Sequence, residues 1–326
     1  MTDRPAHLVR FGKTDLYVSR LCQGTAFRHL PRADDPRGLA VLYHCLERGV
    51  NFFDSAIAYG WGGAETVLGK AIAGRRDQVI ICTKVPASYA PVEFGGSGEP
   101  AVFTRDYLFE QAEGSLARLG TDYLDLFLLH QPDKVTPAAE IIGPMDELVH
   151  SGKVRYWGVS NHSGAQISEY LEVTEKAGKA PIVGTEDYYN IAGEARTTDG
   201  EPRMAKLEQE VFPVLHSAGL GLLAFSPVDC GSLAPGREVE PGSPLEGLIE
   251  GIDEVAGELG AERSSVCVAW VLSHPEVTSV LAGSESPEHV DHNIAGTELA
   301  LPAAALAKLN AANAEYRERQ IKENKE

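Results

Sequence analysis

Positive charge is scarce in this chain of 326 residues. Its 29 Lys and Arg stand against 47 Asp and Glu, a formal net charge of −18 with a pI near 5.0. A phosphate backbone or an anionic bilayer calls for the opposite balance, so nucleic acid and membrane surfaces are excluded as partners. Basic residues cluster only in short pairs such as Arg75–Arg76. Cysteine is also sparse. The five thiols (Cys22, Cys45, Cys82, Cys230, Cys267) are odd in number and form no CxxC, which argues against a disulfide framework. Cys22, Cys82 and Cys267 sit in apolar runs and read as reduced core thiols. No segment approaches the ~18 uninterrupted apolar residues of a membrane span, and MTDRPAHLVR lacks the apolar stretch of a signal peptide. The expectation is a cytoplasmic protein, in which the sequon Asn161-His162-Ser163 carries no glycan.

Nucleotide fingerprints are missing as well. GLGLLA (219–224) runs into an apolar strand rather than out of one, so it fails the context of a Rossmann turn. GGAETVLGKA is one residue too long for a P-loop and lacks its Ser or Thr. His289 and His292 form an HxxH without an accompanying carboxylate or Cys set, so no metal is expected.

What the chain has is alternation. Eight short apolar runs read as strands: 20–25, 50–55, 78–84, 123–130, 154–160, 181–189, 219–226 and 277–283. Helical patterns lie near 37–48, 64–72, 104–119, 138–151, 163–177, 203–218 and 287–296. Thr104 opens one of them and Gly120 ends it; Ser151-Gly152 closes another. Strands alternating with helices pair in parallel through right-handed crossovers. The expected fold is therefore α/β, a single (β/α)8 TIM barrel spanning 1–326. Residues 1–19 should form a capping β-hairpin, and 297–326 an extra C-terminal helix and tail. Stretches 88–102 and 229–246, rich in Gly and Pro, read as long loops on the catalytic face.

In such a barrel the strand C-terminal ends carry function. Asp54 ends the second strand, with Tyr59 five residues on; Lys84 ends the third and His130 the fourth. Each alone has an ordinary explanation: a turn cap, a loop aromatic, a strand-end cation, a core histidine. At equivalent positions on three neighbouring strands they suit carbonyl reduction. A phenol with a pKa of ~10 is a weak acid at neutral pH. A nearby ammonium stabilises its phenolate and lowers that pKa. Lys84 would do so, Asp54 would hold Lys84 charged, His130 would orient the carbonyl, and Tyr59 would be the general acid or base.

These segments resemble the aldo-keto reductase family. NFFDSAIAYGWGGAETVLGKAI is similar to its Asp-x4-Tyr-Gly segment, ICTK to its Lys strand and DLFLLHQPD to its His strand. WGVSN (157–161) resembles its Gly-x-Ser-Asn, AFSPVDCGSL (224–233) its loop over the pyrophosphate, and VLAGSESPEHVDHNIAG (280–296) its adenosine-phosphate segment. The resemblance implies an oxidoreductase that interconverts a carbonyl (aldehyde, ketone or sugar) and an alcohol with a nicotinamide cofactor. Its cofactor contacts would be Gly24, Thr25, Asp54, Ser160, Asn161, Phe225, Ser226, Val228, Gly231, Gly283, Ser284, Glu285, His289 and Asn293. Trp61 would wall the substrate pocket.

Three positions depart from the family pattern. Strand six offers Thr185 or Glu186 where Gln is usual, and Phe225 stands where Tyr is commoner. Glu285 and His289 occupy positions where Lys or Arg often binds a 2′-phosphate. The family pattern favours NADP(H), narrowly, with NAD(H) as the second candidate, because a carboxylate suits a free 2′-hydroxyl. The acids Asp133, Glu186 and Asp187 are expected around the pocket, favouring neutral polyols or sugars. The alternative is a regulatory, weakly enzymatic subunit of the channel-β type. A two-carboxylate barrel glycosidase explains neither Lys84 nor Gly158–Asn161.

Overall fold

A computed structural model of the chain describes residues 7–27, 36–193 and 203–323. The first and last residues of the expected hairpin segment and tail (1–6 and 324–326) lie outside these. The chain opens with an antiparallel hairpin of β1 (Leu8–Arg10) and β2 (Tyr17–Ser19), in the register Val9↔Val18. Eight parallel strands follow: β3 (Leu21–Gly24), β4 (Phe52–Asp54), β5 (Ile80–Val85), β6 (Leu124–Leu129), β7 (Val154–Ser160), β8 (Ile182–Tyr188), β9 (Gly221–Phe225) and β10 (Ser279–Ala282). They close in sequence order, with β10 pairing both β9 and β3. The α/β barrel read from the sequence is the fold.

The hairpin plugs the barrel floor. Its turn carries Phe11 beneath β8 and β9, where a Cβ on Gly184 or Gly221 would come within 2.6 Å and 2.8 Å of the Phe11 ring. These two positions are glycine because the ring takes the space a side chain would need. Phe11 also meets Phe52 edge-on at 6.0 Å. Above it, Cys22, Phe52, Cys82, Leu126, Leu128 and Leu223 fill the interior. The larger core lies between strands and helices, as the two-layer architecture requires.

The helices expected from periodicity form: α1 (Pro36–Glu47), α2 (Gly63–Ala71), α3 (Arg105–Leu119), α4 (Ala138–His150) and α5 (Gly164–Ala177). Thr104 accepts from the Tyr107 amide to start α3, and Gly120, at φ 66°, ends it. The helix expected over 203–218 forms as one continuous run, α6 (Arg203–Lys206), a π-turn over Leu207–Val211 and α7 (Phe212–Ala218). Pro213, in the first turn of α7, has no amide to donate within that run. Between β9 and β10 the structure adds two helices that the sequence reading lacked, α8 (Pro244–Leu259) and α9 (Arg263–Leu272). The loop expected over 229–246 therefore ends at the Ser243 cap of α8. After β10 come α10 (Pro287–Glu298) and α11 (Ala303–Glu323). No helix among the described residues is long and apolar enough to cross a membrane.

Candidate active site

Strand alternation explains which side chains meet. Phe52 and Cys82 face the barrel interior, so Asp54 and Lys84, two residues further along β4 and β5, face it one layer higher. Asp54 pairs with Cys82 in register, and the Thr25 amide donates to its carbonyl at 3.0 Å. The Lys84 ammonium is fully buried. It donates to Asp54 Oδ1 at 2.5 Å and to the Ser55 carbonyl at 2.9 Å. Burial alone would drive the Lys84 pKa down, but the carboxylates of Asp54 and Glu186 overcome it and hold the group well above its ordinary value. Lys84 is a fixed cation.

Tyr59 arrives from the loop after β4. That loop turns tightly, with the Tyr59 amide donating to the Ala56 carbonyl and the Ala64 amide to the Tyr59 carbonyl. The turn brings the Tyr59 ring back to 5.1 Å from Lys84 Nζ. His130 follows β6 and meets Tyr59 edge-on at 5.9 Å. Four residues from three adjacent strands thus converge at the C-terminal mouth. Lys84 pulls the Tyr59 pKa down, as expected, but does not set it in the free protein. Burial is the larger influence, and it raises the phenol above its ordinary value against the pull of Lys84. Burial, helped by Lys84 repulsion, lowers His130 to about 3, so its imidazole is neutral in the physiological range.

The strand-six position is settled by geometry. β8 turns Glu186 inward, its Oε2 3.2 Å from Lys84 Nζ. Thr185 donates instead to Asp187 Oδ2 at 2.7 Å. The acidic lining expected of the pocket is also revised. Asp133 is a turn acceptor for the amides of Phe103, Val135 and Thr136, Asp187 is buried, and Glu186 belongs to the Lys84 cluster. Glu186 and Asp187 offer no open anionic surface, and the half-buried Asp133 is engaged in its own turn.

The expected cofactor residues occupy the rest of the circle. Gly24 ends β3 and Thr25 follows it, donating to Ser55 Oγ at 2.9 Å. Ser160 ends β7 and Asn161 follows it; Asn161, at φ 60°, donates from Nδ2 to the His130 carbonyl and to Ser160 Oγ, both at 2.9 Å. Phe225, Ser226, Val228 and Gly231 follow β9. Ser226 is at φ 62°, with its carbonyl held by Asn190 Nδ2. After β10, Asn293 donates to Ser284 Oγ at 3.0 Å, and Ser286 caps α10 through the His289 amide. Glu285 is half-buried and His289 exposed. Trp61, at φ 47°, packs half-buried beside the mouth of β4. A Cβ added to Gly231 or Gly283 would meet nothing within 4 Å. Gly283 borders open space just before the N-terminus of α10, where anionic groups are favourable, and Gly231 borders open space in the loop after β9. Hydroxyls, an amide and a helix N-terminus around such a space fit a dinucleotide with its pyrophosphate.

Three site features escaped the sequence reading. Ser55 contributes its carbonyl to Lys84. Tyr188 donates to Asp229, which also accepts from Ser232 and anchors the loop after β9. Glu186 became visible as a Lys84 partner only once the register of β8 was fixed. The buried Glu65 beyond Tyr59 is structural, accepting from Thr83 at 2.7 Å and Arg118 at 2.6 Å.

A closed barrel with an Asp–Lys pair, a phenol and a neutral imidazole at its mouth has the form of an oxidoreductase of the barrel type. The chain belongs to the Aldo/keto reductase family, whose sequence pattern matches residues 20–314. It is 30% identical over 320 residues to the "uncharacterized oxidoreductase YrpG" of Bacillus subtilis (strain 168), covering 92% of this chain and 93% of the relative. It is 29% identical over 308 residues to a "probable voltage-gated potassium channel subunit beta" of Oryza sativa subsp. japonica, covering 87% and 88%. Among solved structures, the aldo-keto reductase AKR11C1 from Bacillus halodurans, in its holo form, superimposes with a TM-score of 0.78 at 28% identity. That match covers 94% of this chain and 95% of the other.

Proposed function

We propose that this protein interconverts a carbonyl and an alcohol, using a nicotinamide dinucleotide and Tyr59 as the general acid and base. The observation that carries the reading is the approach of the Tyr59 ring to the buried Lys84–Asp54 pair, with His130 against its edge. The dinucleotide, when bound, supplies or accepts the hydride. The chain's own residues manage the proton. His130, being neutral, can donate one hydrogen bond to a carbonyl oxygen without carrying charge. Tyr59 gives its proton to the developing alkoxide in reduction and takes one from the alcohol in oxidation. Lys84 stabilises the phenolate left behind, and Asp54 keeps Lys84 charged and in place. Phe225, Ser160 and Asn161 would hold the nicotinamide end, and Ser284, Glu285, His289 and Asn293 the adenosine end.

The substrate is a small aldehyde, ketone or sugar, with Trp61 offering a flat apolar face, and the protein works in the cytoplasm. The family pattern favours NADP(H). Glu285 opposes a 2′-phosphate and His289 replaces a permanent cation, so we expect NADPH to be preferred over NADH by no more than about tenfold, or ~1.4 kcal/mol. A second reading, a regulatory subunit with little turnover, draws on the names of the plant channel-β relatives. Fluorescence titration with NADPH and NADH, followed by a panel of aldehydes, ketones and sugars, separates them. Dinucleotide binding with turnover is the expected result. Binding without turnover on any panel member selects the subunit, and absence of binding overturns both.

A further inference from the structure

The site holds one more carboxyl group than its proton chemistry requires. Lys84 Nζ lies 2.5 Å from Asp54 Oδ1 and 3.2 Å from Glu186 Oε2. Asp54 and Glu186 are 1% and 2% exposed, and ligand atoms of the two lie within 4.8 Å of each other. Asp54 Oδ2 is buried without a hydrogen-bond partner, and Glu186 Oε2 is buried with only its ion-pair contact to Lys84. Two buried acids therefore face one ammonium. With both ionised, the cluster would carry an uncompensated negative charge in an apolar interior, an arrangement that costs several kcal/mol and is relieved by binding a proton.

We propose that Glu186 is a fifth, proton-holding member of this site: it carries one proton shared with Asp54, and so leaves the charge of Lys84 to Asp54 and Tyr59. The proton sits on Glu186 because Asp54 makes the shorter contact to Lys84 and takes its charge. The Glu186 hydroxyl then has an acceptor in the otherwise unpartnered Asp54 Oδ2. Burial first, and then the Asp54 charge, raise Glu186 well above the ordinary carboxylate range. The other groups facing it do not change this balance. Cys82 from β5 and Cys22 from β3 are thiols that burial keeps protonated. Tyr59 is held protonated by burial, and His130 is neutral. Asp187, next along β8, is occupied by the Thr185 hydroxyl.

Glu186 is buried and paired with Lys84, so it acts through Lys84 as a positioning residue. While it is protonated, Lys84 faces a single negative charge. When it ionises at alkaline pH, the second carboxylate, 3.2 Å from Lys84, leaves the cluster with a net negative charge that pushes the phenol further up. Tyr59 thus keeps its proton, and reduction its acid, to higher pH than Lys84 and Asp54 alone would allow. This deepens the proton-transfer reading above, but its main test needs no turnover.

Infrared difference spectra of the free protein at neutral pH, wild type minus Glu186→Gln, should show the carbonyl band of a buried carboxylic acid. The same band should be absent in Asp54→Asn, where one carboxylate remains to pair with one ammonium. That second variant preserves the test should Glu186→Gln fail to fold. In turnover, Glu186→Gln should move the alkaline limb of carbonyl reduction to lower pH. Absence of the acid band in the wild type, or its persistence in Glu186→Gln, overturns the proposal. A band without any turnover would leave the proton on Glu186 and remove only the catalytic reading.

Discussion

The two ends of the barrel are built on opposite terms. At the floor, the turns leading from helices into β4–β9 each contain a glycine with positive φ, from Gly49 to Gly219. Left-handed backbone is supplied there by the residue that tolerates it freely. The floor's polar groups are satisfied. Asp125, 1% exposed, accepts from Arg76 at 2.7 Å, Arg155 at 2.8 Å and the Ile81 amide at 3.0 Å. At the mouth, left-handed backbone is forced onto side chains: Phe27, Trp61, Lys134, Asn161, Ser226, Asp229 and Cys230 all lie in loops that follow strands. All four buried side-chain atoms without a hydrogen-bond partner among the described residues are there too, on Asp54, His130, His162 and Glu186. Strain and unsatisfied polarity each cost of order 1–3 kcal/mol. The floor and the packed layers carry stability; the mouth spends some of it on geometry that chemistry can use.

The comparison breaks most sharply if a mouth residue can be changed without loss. Tyr59→Phe should lower carbonyl reduction by about 10³-fold, a typical contribution of a general acid, while dinucleotide binding and thermal stability stay near wild type. Near-normal reduction would remove Tyr59 from its role. The converse change lies at the floor. Asp125→Ala strips the acceptor from two arginines and an amide and should cost ~3–5 kcal/mol of stability, as breaking a buried ion pair does. Turnover per folded molecule should be unchanged, read by chemical denaturation beside kinetics at permissive temperature. A loss of turnover per folded molecule would mean that the two ends are coupled.

The same contrast explains what was legible in the sequence. Strands and most helices could be read because their apolar periodicity is dictated by the core. Asp54, Tyr59, Lys84 and His130 were readable because each follows an apolar run at one structural level. α8 was not read because Gly247, Gly251 and Gly257 dilute its helical pattern, although Ser243-Pro244 and the apolar Leu248, Ile249, Ile252 and Val255 mark it. Gly251 is required by packing, since a Cβ there would stand 2.9 Å from Ala312. α9 is apolar nearly all round, RSSVCVAWVL, and lacks the one-sided pattern of a surface helix. Glu186 is one of two candidates in the sequence, but β8 is polar on both faces at Thr185–Asp187, and the β7–β8 register shifts between Trp157 and Val159. A two-residue alternation cannot decide which side chain turns inward across such a shift.

The rim of the mouth should respond more weakly than its floor. Glu285→Arg replaces a carboxylate with a bidentate phosphate donor and should move the NADPH/NADH affinity ratio toward NADPH by about tenfold, measured by fluorescence titration. An unchanged ratio would show that residues other than Glu285 set the preference at the 2′ position. Folding stability should not change appreciably, because Glu285 lies outside the packed layers.

The smallest effect is a pH slope. His162 is 4% exposed, hydrogen-bonded through Nδ1 to the Ser160 carbonyl, and lowered from 6.5 to about 4, chiefly by burial. Above pH 6.5 it is neutral both folded and unfolded and contributes no pH dependence. Below that, the unfolded chain binds a proton that the folded protein refuses until about pH 4. Stability is therefore lost as pH falls through this window. His130 acts in the same direction down to about 3, but replacing it disturbs the site. His162→Asn keeps a donor for the Ser160 carbonyl and removes the titration. The variant should be less steeply destabilised between pH 6.5 and 5.5, by about 1 kcal/mol at the lower value, whatever its stability at pH 7.5. Parallel profiles for variant and wild type would show that His162 takes up its proton without unfolding, and that this part of the mouth is more open to water than the floor.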